Sequence, residues 1–415
     1  MKVLWLCNIM LPRISVALNE KFNNIGGWLT GLSEGLIKKD NIELIILFPY
    51  SKLLSGTDKT VKYYSFLSCN PTKYNYEIKK RFAEIIHSEK PDIIHIFGTE
   101  YVHSLIMTDV CCENKLINKT IVSIQGLVSV YSKHYYAGLE SKVINGYSLV
   151  EFKTGNNIKK AAKDFEKRGI YEIQTIKNVQ HIIGRTDWDK ACCKMINPNI
   201  NYHFCNETLR SSFYKNEWKI DKIKKHSIFV SQCSYPIKGF HIMIKAMSEI
   251  IKYFPDSCLY TTGKDLINVS GINKLKLTYY QKYLRKLIFK YNLQNNVVFL
   301  GSLKEEQMCS QYLNSHIFAS CSSIENSPNS VGEAMILGTP VVSSDVGGVK
   351  NMLIHNEEGY IYPFDEYYML AYYIMKIFKN DDLALKLSGN ARCHARKTHD
   401  EHTNTERLYQ IYTKL

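Results

Sequence analysis

The chain has 415 residues, too many for one ordinary core and enough for two domains of roughly 150 to 200 residues each. At 45% hydrophobic and 22% charged it is globular in composition, which excludes a disordered or low-complexity chain. The net charge of +14 suits nucleic acid, phosphorylated substrates or an anionic membrane surface. Its lysines are scattered, with only short clusters such as Lys159-Lys160 and Lys222 to Lys225, and no nucleic-acid-binding motif accompanies them. The expected partners therefore exclude nucleic acid. A diffuse basic surface facing lipid, or a solvated face with no partner, are the two readings of the charge.

In chain order, the apolar run from Met1 to Cys7 is too short for a signal peptide and lacks a small-residue cleavage site, so it reads as a first buried strand. No window approaches the length of a membrane span. The twelve cysteines include the adjacent pairs Cys111-Cys112 and Cys192-Cys193 and no Cys-x-x-Cys, which fits a reducing compartment. A cytoplasmic location is expected, with any membrane contact peripheral and at the inner face.

Strand-like runs follow at Glu43 to Phe48, Asp92 to Phe97, Thr120 to Ile124 and His181 to Gly184, with amphipathic helical patterns between them. The helical patterns are marked by Trp28, Leu29, Leu32 and Leu36, then by Phe82, Ile85 and Ile86, then by Leu105, Ile106 and Val110. A crossing point is expected around 202–226. A second series then begins: strand Ser227 to Gln232, helix Gly239 to Tyr253, strand Cys258 to Thr262, helix Tyr279 to Tyr291 and strand Val297 to Leu300. Helix Glu305 to Asn314 and strand Ile317 to Ala319 complete it before the segment Glu325-Asn-Ser-Pro-Asn-Ser-Val-Gly-Glu333. Strands alternating with helices predict an α/β chain of two Rossmann-like, doubly wound domains facing across a cleft. The expected divisions are 1–210, 211–393 and a terminal helix over 394–415 that crosses back to the first domain.

Several residues stand out as chemistry. The paired glycines of Asn24-Ile-Gly-Gly-Trp28 let a backbone approach a ligand at a helix start, although such pairs also make plain turns. Lys238-Gly239, directly after a strand, sets an ammonium at a βα turn. Glu325 sits at a loop mouth and Glu333 within the first turns of a helix that stops at Gly338. Asp187-Trp-Asp189 has the Asp-x-Asp form of a hard-metal ligand pair, but it opens a helix, where acidic residues cap and offset the dipole. No metal is expected. His95 lies inside a strand and reads as a satisfied core histidine.

Taken together, the glycine-rich first loop, Lys238-Gly239 and the Glu-x7-Glu before Ala-Met-Ile-Leu-Gly-Thr-Pro-Val-Val resemble the retaining family 4 glycosyltransferases of the GT-B fold. The resemblance runs nearly end to end. It implies transfer of a sugar from a nucleoside-diphosphate donor to a saccharide or lipid-linked saccharide hydroxyl, with no cofactor, in cell-surface polysaccharide or lipopolysaccharide assembly. It casts Lys238 and Glu325 as the catalytic pair. Gly26, Gly27, Arg185, Gly239, Gly263, Gly301, Leu303, Ser327, Asn329, Ser330 and Glu333 join them as donor contacts. Gln125, where the family usually carries a histidine, and His134 fall on the acceptor or sugar side. The chain also departs from the family pattern at Ser231-Gln232, where a Gly-Arg pair is common, and at Asn326-Ser327. A non-catalytic nucleotide-sugar-binding partner, or a GT-B epimerase or phosphorylase, remain the alternative readings.

Overall fold

In a computed structural model, residues 1–20, 27–58 and 60–415 are described, and they form two compact units. The first comprises Met1–Val130, Asp164–Arg210 and His399–Leu415; the second comprises Tyr131–Lys163 and Ser211–Thr398.

The first unit is built on one sheet. Its strands are β1 (Lys2–Leu6), β2 (Glu43–Tyr50), β3 (Ser55–Asp58), β4 (Val61–Leu67), β5 (Ile93–Phe97), β6 (Thr120–Ser123), β7 (His181–Gly184) and β8 (Asn201–Phe204). They pair in the order β3-β4-β2-β1-β5-β6-β7-β8, parallel except for the β3–β4 hairpin. Strands buried on both faces must be apolar at every position, and the period of two then divides each strand between two cores. Leu4, Leu6, Ile45, Leu47, Ile94 and Ile96 point to one core, beneath helices Tyr76–Glu89 and Val102–Glu113. Val3, Trp5, Leu44, Ile46, Phe48 and Ile93 point to the other. There they meet Leu29, Leu32 and Leu36 of helix Gly27–Leu36 and Leu408, Ile411 and Tyr412 of the C-terminal helix Glu401–Thr413.

That C-terminal helix is anchored by a buried polar chain. Tyr412 accepts from the Trp5 indole N–H at 2.9 Å and meets His95 Nδ1 at 2.6 Å, while His95 Nε2 meets Ser123 Oγ at 2.7 Å. An indole can only donate, so the arrangement that pairs every one of these groups has Tyr412 donating to Nδ1 and His95 carrying its own proton on Nε2. Burial pushes the His95 imidazole down to about 3 and keeps it neutral. His95 is thus a satisfied core histidine, as its place inside a strand suggests.

In the second unit the strands are β9 (Lys224–Val230), β10 (Cys258–Thr261), β11 (Val297–Phe299), β12 (Ser315–Ser320), β13 (Val341–Ser344) and β14 (Gly359–Tyr362). All pairs are parallel, in the order β11-β10-β9-β12-β13-β14. Counted from β9, this is the 3-2-1-4-5-6 order of a dinucleotide-binding sheet. The chain reverses direction across the sheet between β9 and β12, so the loops leaving their carboxyl ends diverge and open a crevice there.

Residues 131–163 fall between β6 and β7 in sequence yet pack with the second unit. Tyr131 OH accepts from the Asn326 amide at 2.9 Å, and Glu151 accepts from the Tyr279 amide at 3.0 Å. Sequence order alone keeps this stretch with the first half. Tertiary packing and hydrogen bonds reassign it. Among the described residues, no helix is long and apolar enough to cross a membrane.

Replacing Tyr412 by Phe strands both the Trp5 N–H and His95 Nδ1 in a dry core. Urea denaturation of Tyr412→Phe is expected to show a loss of roughly 2–4 kcal/mol, from two orphaned buried groups. A change below about 0.5 kcal/mol, the usual scatter of a neutral substitution, contradicts the assignment.

Candidate active site

The crevice of the second unit is shaped by two loops pressed against each other. After β9 the chain makes a single 3-10 turn, Pro236–Lys238, and then enters helix Phe240–Ile250 through Gly239. Gly239 has φ +65°, and a Cβ there would lie 1.6 Å from the carbonyl oxygen of Cys321, just past β12. On the other side of the β12 loop, Gly347 has φ +50°, and a Cβ on it would lie 1.8 Å from the carbonyl oxygen of Glu325. Gly348 donates to that same oxygen at 3.1 Å. The loop carrying Glu325 is therefore clamped between two glycine backbones, and no side chain fits at either point.

The clamp fixes two charges. Lys238 Nζ lies 2.5 Å from Glu325 Oε1, and Ser322 Oγ donates to the same oxygen at 2.7 Å. The Lys238 side chain is 22% exposed and that of Glu325 11%. Burial disfavours the ammonium, but the Glu325 carboxylate and the Tyr235 hydroxyl more than offset it, so the Lys238 pKa is raised and it stays charged. The Tyr235 ring lies beneath it, with Nζ 5.9 Å from the centroid. Further hydrogen bonds hold the loop: Ser323 donates to the Ile237 carbonyl through its amide at 2.7 Å and to the His134 carbonyl through its hydroxyl at 3.1 Å. Ser344 Oγ donates to the Ser322 carbonyl at 2.6 Å.

Beyond this pair the loop turns into helix Asn329–Leu337, whose N-cap is Pro328 and which has no side-chain cap bond. Its first amides are the kind that serve an anion. Glu333 is buried one turn in, and Tyr312 OH lies 3.4 Å from its Oε2 while donating at 3.1 Å to the Ser330 carbonyl. At the same sheet edge, Gly263 after β10 and Gly301 after β11 form an isolated bridge, with Gly263 N donating to Gly301 O at 2.9 Å. Both glycines have positive φ, and the space beside Gly301 is open. Leu303, two residues on, is half-buried, as are Ser327, Asn329 and Ser330.

The remaining sequence candidates lie elsewhere. Gly26 falls outside the described residues, and Gly27 begins helix Gly27–Leu36. In the first unit, Arg185 follows β7, is buried, and pairs with Glu207. Its guanidinium also donates to the Ile124 carbonyl at 3.2 Å. Gln125 donates to the other Glu207 oxygen at 2.6 Å, so Glu207 ties together two residues that the sequence singles out separately. Asp189 accepts from the Arg185 amide at 3.0 Å and from Tyr202 OH at 2.5 Å, and Thr186 caps the helix through the Asp189 amide. Among the described residues, no group of three His, Cys, Asp or Glu side chains could hold a metal ion. His134 is half-buried in the second unit, with its pKa lowered by burial and by Lys133.

Sequence reasoning missed Glu207, Ser322 and the Gly347-Gly348 pair. The glycine pair carried a usable signal, since adjacent glycines just before a helical turn are the same cue as Gly26-Gly27. Glu207 carried none.

Two parallel doubly wound units, the second with this strand order, define a fold with known relatives. The chain aligns over its full length with sucrose-phosphate synthase from Thermosynechococcus elongatus, covering 98% of that chain, at a TM-score of 0.73 and 16% identity. It aligns equally completely, over 100% of both chains, with Anabaena HepE in complex with UDP and glucose, at a TM-score of 0.68 and 15% identity. These likenesses give the fold, which is GT-B. A family model described as "Glycosyl transferases group 1" matches residues 211–394. Over this segment, which is less than half of the chain, the sequence is similar to that family. Among curated proteins it is 27% identical over 205 residues to the putative glycosyltransferase YtcC of Bacillus subtilis, a match covering 49% of this chain and 48% of YtcC. The chain thus spans about half the length of the first curated relatives it matches.

The glycine clamp makes a sharp prediction. Gly239→Ala combines a left-handed backbone with a backbone collision, and unfolding by urea should show a loss of about 3 kcal/mol or more. Gly301→Ala, with the same sign of φ but open space, should cost only about 1–2 kcal/mol. Equal losses would contradict the close approach.

Proposed function

We propose that this chain transfers a sugar from a nucleoside-diphosphate donor to a hydroxyl acceptor with retention of anomeric configuration. The observation that carries this reading is the Lys238–Glu325 pair, held in the β9/β12 crevice beside the open start of helix Asn329–Leu337. A crevice at the reversal point of a parallel sheet, with a fixed cation and free helix amides, is suited to a diphosphate.

In this reading the C1–O bond to the donor diphosphate breaks through an oxocarbenium-like transition state. Lys238 and the first amides of helix Asn329–Leu337 stabilise the negative charge that grows on the departing phosphate oxygen. The acceptor hydroxyl attacks from the same face as the leaving group, and its proton passes to the leaving phosphate. Glu325 accepts hydrogen bonds from the donor sugar's hydroxyls with its remaining lone pairs, and Glu333 takes the two ribose hydroxyls. Ser327, Asn329 and Ser330 supply backbone and side-chain groups to sugar and phosphate, and Gly263, Gly301 and Leu303 line the nucleotide. His134, whose carbonyl holds the Glu325 loop within the same unit, is placed on the sugar and acceptor side. The acceptor is a saccharide or lipid-linked saccharide of cell-surface polysaccharide or lipopolysaccharide assembly, and no metal takes part. The UDP and glucose bound by HepE support a nucleotide-sugar donor for this fold.

A thermal-shift panel of UDP-, GDP-, ADP- and dTDP-sugars tests the donor. One of them at a hundred times its Kd should stabilise the chain by about 2.7 kcal/mol. Lys238→Ala should lower turnover of that donor by roughly two orders of magnitude, equivalent to about 3 kcal/mol. No shift from any donor, or unchanged turnover in the variant, would overturn the reading.

A further inference from the structure

The segment 131–163 is largely unused by the reaction, yet it places an unusual surface on the second unit. Helix Leu149–Thr154 starts from a complete capping box, in which Ser148 and Glu151 bond each other's backbone and side chain. With Glu151 turned inward, Leu149 and Phe152, spaced i and i+3 on one face, are left in solvent, and Phe152 is 83% exposed. Tyr147, just before the cap, is exposed too.

This helix packs on a second short element, the 3-10 helix Gly271–Lys276. The bond from the Tyr279 amide to Glu151 fixes the junction at 3.0 Å, and a Cβ on Gly146 would meet the Tyr279 ring at 2.0 Å. In a 3-10 helix residues i and i+3 eclipse, and here they are Ile272, 72% exposed, and Leu275, also exposed. Two adjoining elements thus each hold an apolar pair in water, an arrangement the packing of this unit does not require.

The charge around the patch is one-sided. Segments 131–163 and 264–286 carry twelve Lys and Arg against three carboxylates. Glu151 is consumed by its capping box, Glu140 pairs with Lys142, and Asp265 folds back onto the amides of Ile267 and Asn268. Lys153, Lys274 and Lys276 are exposed beside the apolar residues. Exposed large apolar side chains ringed by lysines complement a surface that is apolar beneath and anionic on top.

We propose that the face formed by Tyr147–Lys153 and Gly271–Lys276 docks the second unit onto an anionic lipid bilayer, with Leu149, Phe152 and Ile272 entering the headgroup boundary. A basic chain adheres weakly to any anionic surface, so the decisive variant removes apolar groups and leaves every charge in place.

Sedimentation with phosphatidylcholine vesicles containing 30% phosphatidylglycerol at about 0.15 M salt tests this, pure phosphatidylcholine vesicles serving as the control. The full chain should bind the anionic vesicles and not the neutral ones. The triple variant Leu149→Ser, Phe152→Ser, Ile272→Ser should keep its circular dichroism and melting temperature and lose at least about tenfold in partitioning. Equal binding by the variant assigns the contact to net charge alone and overturns the proposal, as does no binding by the unaltered chain. A dimer in light scattering that the triple variant dissolves assigns the face to a second copy instead, and overturns it too. The substitutions leave Lys238 and Glu325 intact, so a donor-induced thermal shift in the triple variant separates this proposal from the sugar-transfer reading.

Discussion

The second unit depends on one steric constraint: two loops at the carboxyl ends of β9 and β12 share backbone contact, and a glycine makes it possible. Gly239 leaves no room between itself and the Cys321 carbonyl, and Gly347 leaves none beside the carbonyl of Glu325. Squeezed from both sides, the β12 loop can present Glu325 in one way only. That places its carboxylate on the Lys238 ammonium. A long lysine side chain would otherwise sample many rotamers; here its charge is held by the Glu325 carboxylate, which Ser322 in turn fixes, and by an aromatic face.

Such a pair is expensive as pure stabilisation. Two charges taken mostly out of water gain back little more than their desolvation costs, and an apolar pair would serve the fold at least as well. What an ion pair retains is an oriented charge ready for another anion. Glu325 also keeps lone pairs that Lys238 and Ser322 do not occupy, since both contact the same carboxylate oxygen. The helix beginning at Asn329 adds uncapped amides a few residues away, from the same loop. Cation, hydrogen-bond acceptor and helix start thus arise from one clamped segment, and the strand order of the sheet sets where that segment emerges.

Much of this was legible in the residues because local and tertiary signals agree. Strand His181–Gly184 and helix Glu305–Asn314 form over the ranges their patterns predict. Each is a short apolar or amphipathic run with clear breaks on both sides. The hairpin β3–β4 and strands β8 and β14 are not legible in the pattern. The first three carry tyrosine, serine, lysine or asparagine among few apolar residues, and β14 is only Gly-Tyr-Ile-Tyr, runs that periodicity cannot separate from loop. The lysine and glutamate of the site could be singled out by chemistry, but their contact could not, because it spans 87 positions and rests on the two glycine approaches. Residues 131–163 were misread for a related reason. Their membership in the second unit rests on long-range packing and on hydrogen bonds such as that from Asn326 to Tyr131, which leave no trace in periodicity. Glu207 gathers Arg185 and Gln125 from two other strand ends, and an isolated glutamate in a loop advertises nothing.

The central claim is that the Lys238 charge is held for a diphosphate, and calorimetric titration of the full chain tests it most directly. The unaltered protein should bind the preferred nucleoside diphosphate at least about tenfold more tightly than the matching monophosphate, a difference of about 1.4 kcal/mol. In Lys238→Met that preference should collapse, with affinity for the monophosphate little changed. A diphosphate preference that survives the substitution would contradict the account.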